Sequence, residues 1–197
     1  MRIRPATPAD LPACRDVCLG TGDSGADGRA LFTLMDIVSD VFVAPYFEFC
    51  LEFAWVLESD EGKVCGYVLG CADTEAYETQ LREVWWPRMR EKYAGISGVT
   101  DRDKSYLDFI SNPVPAPEDV VAEFPAHGHI DLLPEAQSAG WGTQMMTLMM
   151  NALRDAGARG MYLDVSVDNI RAQNFYSKLG FTELQRTEES CYLGQTF

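Results

Sequence analysis

The sequence predicts an α/β fold, and two stretches carry that prediction. In the first, His129-Ile130-Asp131-Leu132-Leu133 reads as a strand, Gln137-Ser138-Ala139-Gly140-Trp141-Gly142 as a turn, and residues 143–156 as an amphipathic helix. In the second, Met161-Tyr162-Leu163-Asp164-Val165-Ser166-Val167 is a buried, β-branched and apolar strand. Asp168-Asn169 then caps a helix over residues 170–179, and Gly180 stops it before a strand opening at Phe181. The first junction also makes an anion site. A strand turning through glycines into a helix leaves backbone N–H groups unpaired, and the helix dipole adds partial positive charge. Gly140 and Gly142 carry no side chain, so a diphosphate can approach the main chain closely.

The other elements surround these two. Residues 1–7 read as an edge or central strand, with Arg2 and Arg4 alternating with Ile3. Pro8-Ala9-Asp10 starts a helix to about Leu19, and the glycine-rich residues 20–28 read as a flexible loop. Helical sequence resumes at Leu31 with Pro45 interrupting it. Residues 53–58 and 64–70 form a hairpin around Ser59-Asp60-Glu61-Gly62-Lys63. Residues 74–93 read as a helix broken or kinked at Pro87. Residues 94–126, punctuated by Pro113, Pro115 and Pro117, predict one short helix near 105–110. That connection is expected to be more mobile than the sheet and to border a cleft. Strands over 181–185 and 190–194 close the chain.

Composition narrows the function. The 197 residues suit one domain, 1–197, with a sizeable core. No run of about 18 apolar residues suggests a transmembrane helix, and the start leads into a strand rather than a signal segment. The six cysteines lack metal or disulfide spacing, so they read as reduced core residues of a cytoplasmic protein. Only two histidines, His127 and His129, are present, and no metal site is expected. The net charge of −14 argues against nucleic acid or an anionic membrane as partner.

The spacing of Gln137, Gly140 and Gly142 resembles the pyrophosphate loop of the GNAT N-acetyltransferases. Asn169, Ala172, Tyr176, Gly180 and Phe181 match that family's second motif, N-x-x-A-x-x-x-Y-x-x-x-G-F. Residues 25–28, 43–46, 56–70, 85–87 and 175–180 look like the acetyltransferase-like C-terminal domain of animal O-GlcNAcase. The resemblance implies a central mixed sheet of about seven strands flanked by helices and splayed at the cofactor strand. It also implies acetyl-CoA as cofactor. The O-GlcNAcase domain is regarded as a pseudo-acetyltransferase with a degenerate cofactor loop, whereas Gln137, Gly140 and Gly142 are all present here.

From the resemblance, Leu132 and Leu133 present main-chain groups to the pantetheine arm. Gln137, Ser138, Ala139, Gly140, Trp141, Gly142 and Thr143 hold the diphosphate, and Asn169, Ala172 and Phe175 complete the cofactor site. Tyr176 matches the family's general acid, a phenol with pKa near about 10 that stays protonated at neutral pH. His129 and Asp131 alternate on one strand and share a face, which makes them candidate bases, with Asp164 a third. Tyr46, Trp55, Trp85 and Trp86 are candidates to line an acceptor pocket, and Asp23 or Asp27 to meet a cationic acceptor. Two functions follow: acetyl transfer from acetyl-CoA to a primary amine of a small molecule or protein, or a non-catalytic acetyl-CoA-binding or protein-interaction module. Assembly as a homodimer is left open.

Overall fold

A computed structural model describes residues 1–97 and 99–197. Seven strands form one mixed sheet: β1 (Arg2–Pro5), β2 (Ala54–Glu58), β3 (Val64–Cys71), β4 (Ala126–Leu132), β5 (Gly160–Ser166), β6 (Thr182–Arg186) and β7 (Ser190–Thr196), in the order β1-β2-β3-β4-β5-β7-β6. Every neighbouring pair is antiparallel except β4–β5. β1 is an edge strand, and its alternating Arg2 and Arg4 both reach Glu58 at 2.7 Å.

Each face of the sheet is covered. On one side lie α1 (Leu11–Gly20), α2 (Ile37–Phe42), α3 (Ala44–Phe49), α4 (Thr74–Gln80), α5 (Trp86–Lys92) and α6 (Asp101–Ser111), packed with Tyr67 and Leu69. On the other, α8 (Trp141–Asp155) and α9 (Ile170–Lys178) pack on Val68, Met161 and Leu163. α8 turns Met145, Met146, Met149 and Leu153 inward at 0% exposure. Burying each such side chain contributes about 1.5–3 kcal/mol. Gly70 and Gly128 sit opposite one another on β3 and β4, and a Cβ on either would come within 3 Å of Met149. Their bareness lets α8 lie directly on the sheet.

Several sequence expectations are corrected. The glycine-rich loop is cross-braced: Gly22 and Gly28 both donate to the Leu19 carbonyl, Gly25 donates to Thr21, and Asp23 and Ala26 exchange two bonds. The 74–93 segment, expected to break or kink at Pro87, stays helical through it, with its irregularity, the π turn Leu81–Trp85, immediately before the proline. The long connection holds two helices, α6 and α7 (Glu118–Glu123). α6 is extended by a capping box in which Thr100 and Asp103 bond reciprocally. Asp103, fully buried, also accepts from the amides of Thr33 and Leu34 and the hydroxyl of Thr33, tying α6 to the segment before α2. Burial alone would raise its pKa, but these bonds outweigh that and hold it at about 2.

Candidate functional site

The two parallel strands part almost as soon as they meet. β4 and β5 pair only at Ala126↔Met161 and His127↔Tyr162, after which each runs on without the other. A cavity of about 1480 Å³ occupies this region, lined from both strands, α9, the loop before α2, residues 113–116 and the turn after β4. In antiparallel pairing, alternate residues turn both backbone groups to the same neighbour. Leu133 donates its N–H to the Cys65 carbonyl, so its amide is committed to β3; by the same alternation Ile130 and Leu132 turn theirs into the opening. Leu132 also lines the cavity. Of the two leucines expected to offer main-chain groups there, only Leu132 is positioned to do so.

The turn after β4 is built around Gln137. Its side-chain amide donates to the Leu132 carbonyl at 2.7 Å, and its oxygen accepts from Arg171 at 2.5 Å. Ser138 and Gly140 both adopt left-handed backbone, φ 63° and 80°, the conformation from which anion-binding concavities are made. None of the six amides from Ser138 to Thr143 has a hydrogen-bond acceptor among the described residues, and the first helical bond is Gln144 to Gly140. The two glycines do different work. Gly140 is needed for its backbone conformation, with open space where a Cβ would be. Gly142 lies on Phe175, whose ring would be 3.2 Å from an added Cβ. Ala139 and Trp141 contribute amides, their side chains lying outside the cavity lining, whereas Thr143 is part of it. Arg171, on α9, brings positive charge beside the loop and was not foreseen; its signal in the sequence was only its place two residues after the Asn169 cap.

α9 begins at Asn169, whose Oδ1 accepts from the Ala172 amide at 3.0 Å. Ala172 and Phe175 both line the cavity. Tyr176 is 7% exposed and packs on Phe175 and Phe181, with ring centroids 5.2 and 5.9 Å away. Its hydroxyl has no partner among the described residues, and its ring lines the cavity. Burial first, then the nearby Asp131 carboxylate, push its pKa up, so it stays a protonated phenol.

His129 and Asp131 do share a face, and the fold adds Tyr67 to them. Tyr67 donates to Asp131 Oδ2 at 2.5 Å, while His129 Nε2 lies 3.0 Å from the Tyr67 hydroxyl and 3.1 Å from the same carboxylate oxygen. Phe42 and Tyr67 stack on the imidazole, with centroids 5.8 and 5.6 Å from it. Burial and Asp131 keep Tyr67 protonated, so the proton between them stays on the phenol. Asp164 reaches the cavity from β5. Of the aromatics proposed for the pocket, Tyr46 and Trp86 line it. Trp85 instead donates to the Asp40 carbonyl in the core, and Trp55 packs in the α8 cluster. The 21–25 loop borders the cavity, but Asp23 faces Arg102 and Asp27 pairs with Arg29.

The sheet thus splays at its parallel pair, and beside the opening lies a strand-to-helix loop whose amides have no acceptor among the described residues. Residues 31–181 match the acetyltransferase (GNAT) family, and the chain belongs to that family. Protein O-GlcNAcase of Rattus norvegicus is 30% identical over 189 residues, 94% of this chain; the chain spans about a fifth of that relative's length. The crystal structure of SsHAT superposes with a TM-score of 0.89 at 33% identity, covering 99% of this chain and 97% of that one. A GNAT-superfamily phosphinothricin acetyltransferase from Sinorhizobium meliloti, solved in complex with acetyl-CoA, shares the fold at a TM-score of 0.54 and 15% identity, covering 99% and 87%.

Proposed function

We propose that this protein is an acetyl-CoA-dependent N-acetyltransferase acting on a primary amine. The observation that carries the reading is the run of six amides from Ser138 to Thr143 with no acceptor among the described residues, flanked by Arg171 and floored by the bare Gly142. That chemistry fits a diphosphate. Bound acetyl-CoA supplies an activated acetyl thioester. The main-chain groups of Ile130 and the Leu132 amide face its arm and carbonyl, the Leu132 carbonyl being held by Gln137. Asp131 and His129, linked through Tyr67, accept the proton that an acceptor amine sheds on forming an amide. Tyr176, unpartnered and protonated, holds a proton at its hydroxyl for the departing thiolate.

A second reading, a non-catalytic acetyl-CoA-binding module, draws on the likeness to O-GlcNAcase. Thiol release from acetyl-CoA across a panel of primary amines separates the two. Tyr176→Phe keeps the ring and its packing and removes the proton. Turnover should fall about a hundredfold or more while acetyl-CoA affinity holds, the lower range for a lost general acid. Equal turnover in both proteins removes Tyr176 from the mechanism. Tight acetyl-CoA binding with no turnover on any amine supports the module instead.

A further inference from the structure

At the apex of the splay, where β4 and β5 still touch, the cavity ends in a chamber that the proposed chemistry does not use. His127, Tyr46 and Tyr77 cluster with ring centroids 5.5 Å (Tyr46–His127, edge to face), 5.0 Å (Tyr77–His127, tilted) and 5.1 Å (Tyr46–Tyr77, tilted) apart. All three are more than nine-tenths buried, yet each lines the cavity. The two hydroxyls and His127 Nε2 have no hydrogen-bond partner among the described residues. None is among the sealed-off polar atoms, so all three open into the cavity.

The tautomer of His127 follows from its other nitrogen. The Thr74 hydroxyl lies 2.9 Å from the Pro125 carbonyl and 2.7 Å from His127 Nδ1. The Pro125 carbonyl also accepts the Thr74 amide at 2.8 Å, and we assign the Thr74 hydroxyl proton to that carbonyl and the Nδ1 proton to the bond with Thr74. In this tautomer Nε2 presents a lone pair at the cavity. Burial keeps this imidazole uncharged, its pKa lowered to about 3, and keeps both phenols protonated. A site that refuses a proton on its own imidazole also disfavours an incoming ammonium, which would have to shed its water there. Of the flanking charges, Glu78 on α4 accepts from the Ala116 amide at 2.8 Å, and Arg82 on the π turn after α4 donates to Thr79 at 3.2 Å.

His127 lies two residues before His129 and four before Asp131 on β4, about 7 and 13 Å along the strand. A molecule whose amine sits beside the His129–Asp131 pair can therefore place its far end in the chamber. We propose that this chamber is the acceptor's specificity subsite, and that it takes an uncharged group carrying a hydrogen-bond donor, an alcohol, phenol or amide N–H, which His127 Nε2 receives between the Tyr46 and Tyr77 hydroxyls. The assignment rests on the acetyl-transfer reading for the position of the amine.

The test compares three primary amines of similar length, aminopentanol, hexylamine and cadaverine. Their affinities are measured by calorimetry with and without saturating CoA, and their thiol release with acetyl-CoA. Aminopentanol should bind roughly tenfold more tightly than the other two, the worth of one or two hydrogen bonds to otherwise unpaired groups. The Tyr46→Phe/Tyr77→Phe double variant removes only unpartnered hydroxyls, so it should fold, and its preference for the alcohol should shrink several-fold. Equal affinities, tightest binding of cadaverine, an unchanged preference in the double variant, or no binding of any probe would each overturn the assignment. Alcohol-selective binding without thiol release would keep the chamber and reject the transfer reading. Thiol release without selectivity would do the reverse.

Discussion

Replacing His127 by Gln should flatten the protein's stability between pH 7 and pH 5. In the folded state burial lowers the His127 pKa from 6.5 to about 3. Below 6.5 the unfolded chain therefore binds a proton that the folded chain does not, and stability falls as pH falls. The loss continues down to the folded pKa, at about 1.4 kcal/mol per pH unit once well below 6.5. Integrated from pH 7 to pH 5, this one imidazole removes about 2 kcal/mol of stability. Most carboxylates titrate below this window, and the other histidine, His129, is common to both proteins and cancels. Urea unfolding at the two pH values, in wild type and His127→Gln, gives the difference of differences directly. The variant also loses its bond to Thr74, which offsets both of its values equally. Parallel pH dependence in the two proteins would refute the neutral, buried imidazole. Should the variant fail to fold, the wild-type His127 ring resonances must stay unshifted down to pH 5.

Gly140→Glu and Gly142→Glu should each abolish acetyl-CoA binding in calorimetry, the first by strained left-handed backbone and like charge, the second by a clash with Phe175; unchanged affinity in either rejects the diphosphate placement. Asp103→Asn should destabilise the protein by about 3 kcal/mol in calorimetric melting, because one oxygen cannot satisfy donors from Thr33, Leu34 and Thr100. The contribution of wild-type Asp103 is present above its unfolded pKa of 3.8 and is lost as pH falls toward 2. Amide exchange should divide the long connection in two: protected in α6 around Ile110, which is 1% exposed, and fast at Val114, which is 75% exposed between Pro113 and Pro115. Uniformly fast exchange through α6 would show that its anchoring by Asp103 is ineffective.

Local sequence was enough for whatever depends on neighbours in the chain. The strand, glycine turn and helix at 129–156 and the Asn169 cap are set by periodicity, left-handed residues and a side chain bonding three residues on, so they were legible. The sharing of one face by His129 and Asp131 follows from strand alternation alone. The extent of α6 was not, because its first turn is held by Thr33 and Leu34, about 70 residues away in sequence. Nor was the fate of Leu133, whose amide is consumed by Cys65 through the β3–β4 register. That same register brings Tyr67, from an apolar-looking strand, to Asp131. Where β4 and β5 part was likewise undecided by the chain, since a strand's sequence carries its own pleat and not its partner's direction. Which backbone groups stay unpaired, and therefore what the cavity can bind, is fixed only when strands distant in sequence are laid side by side.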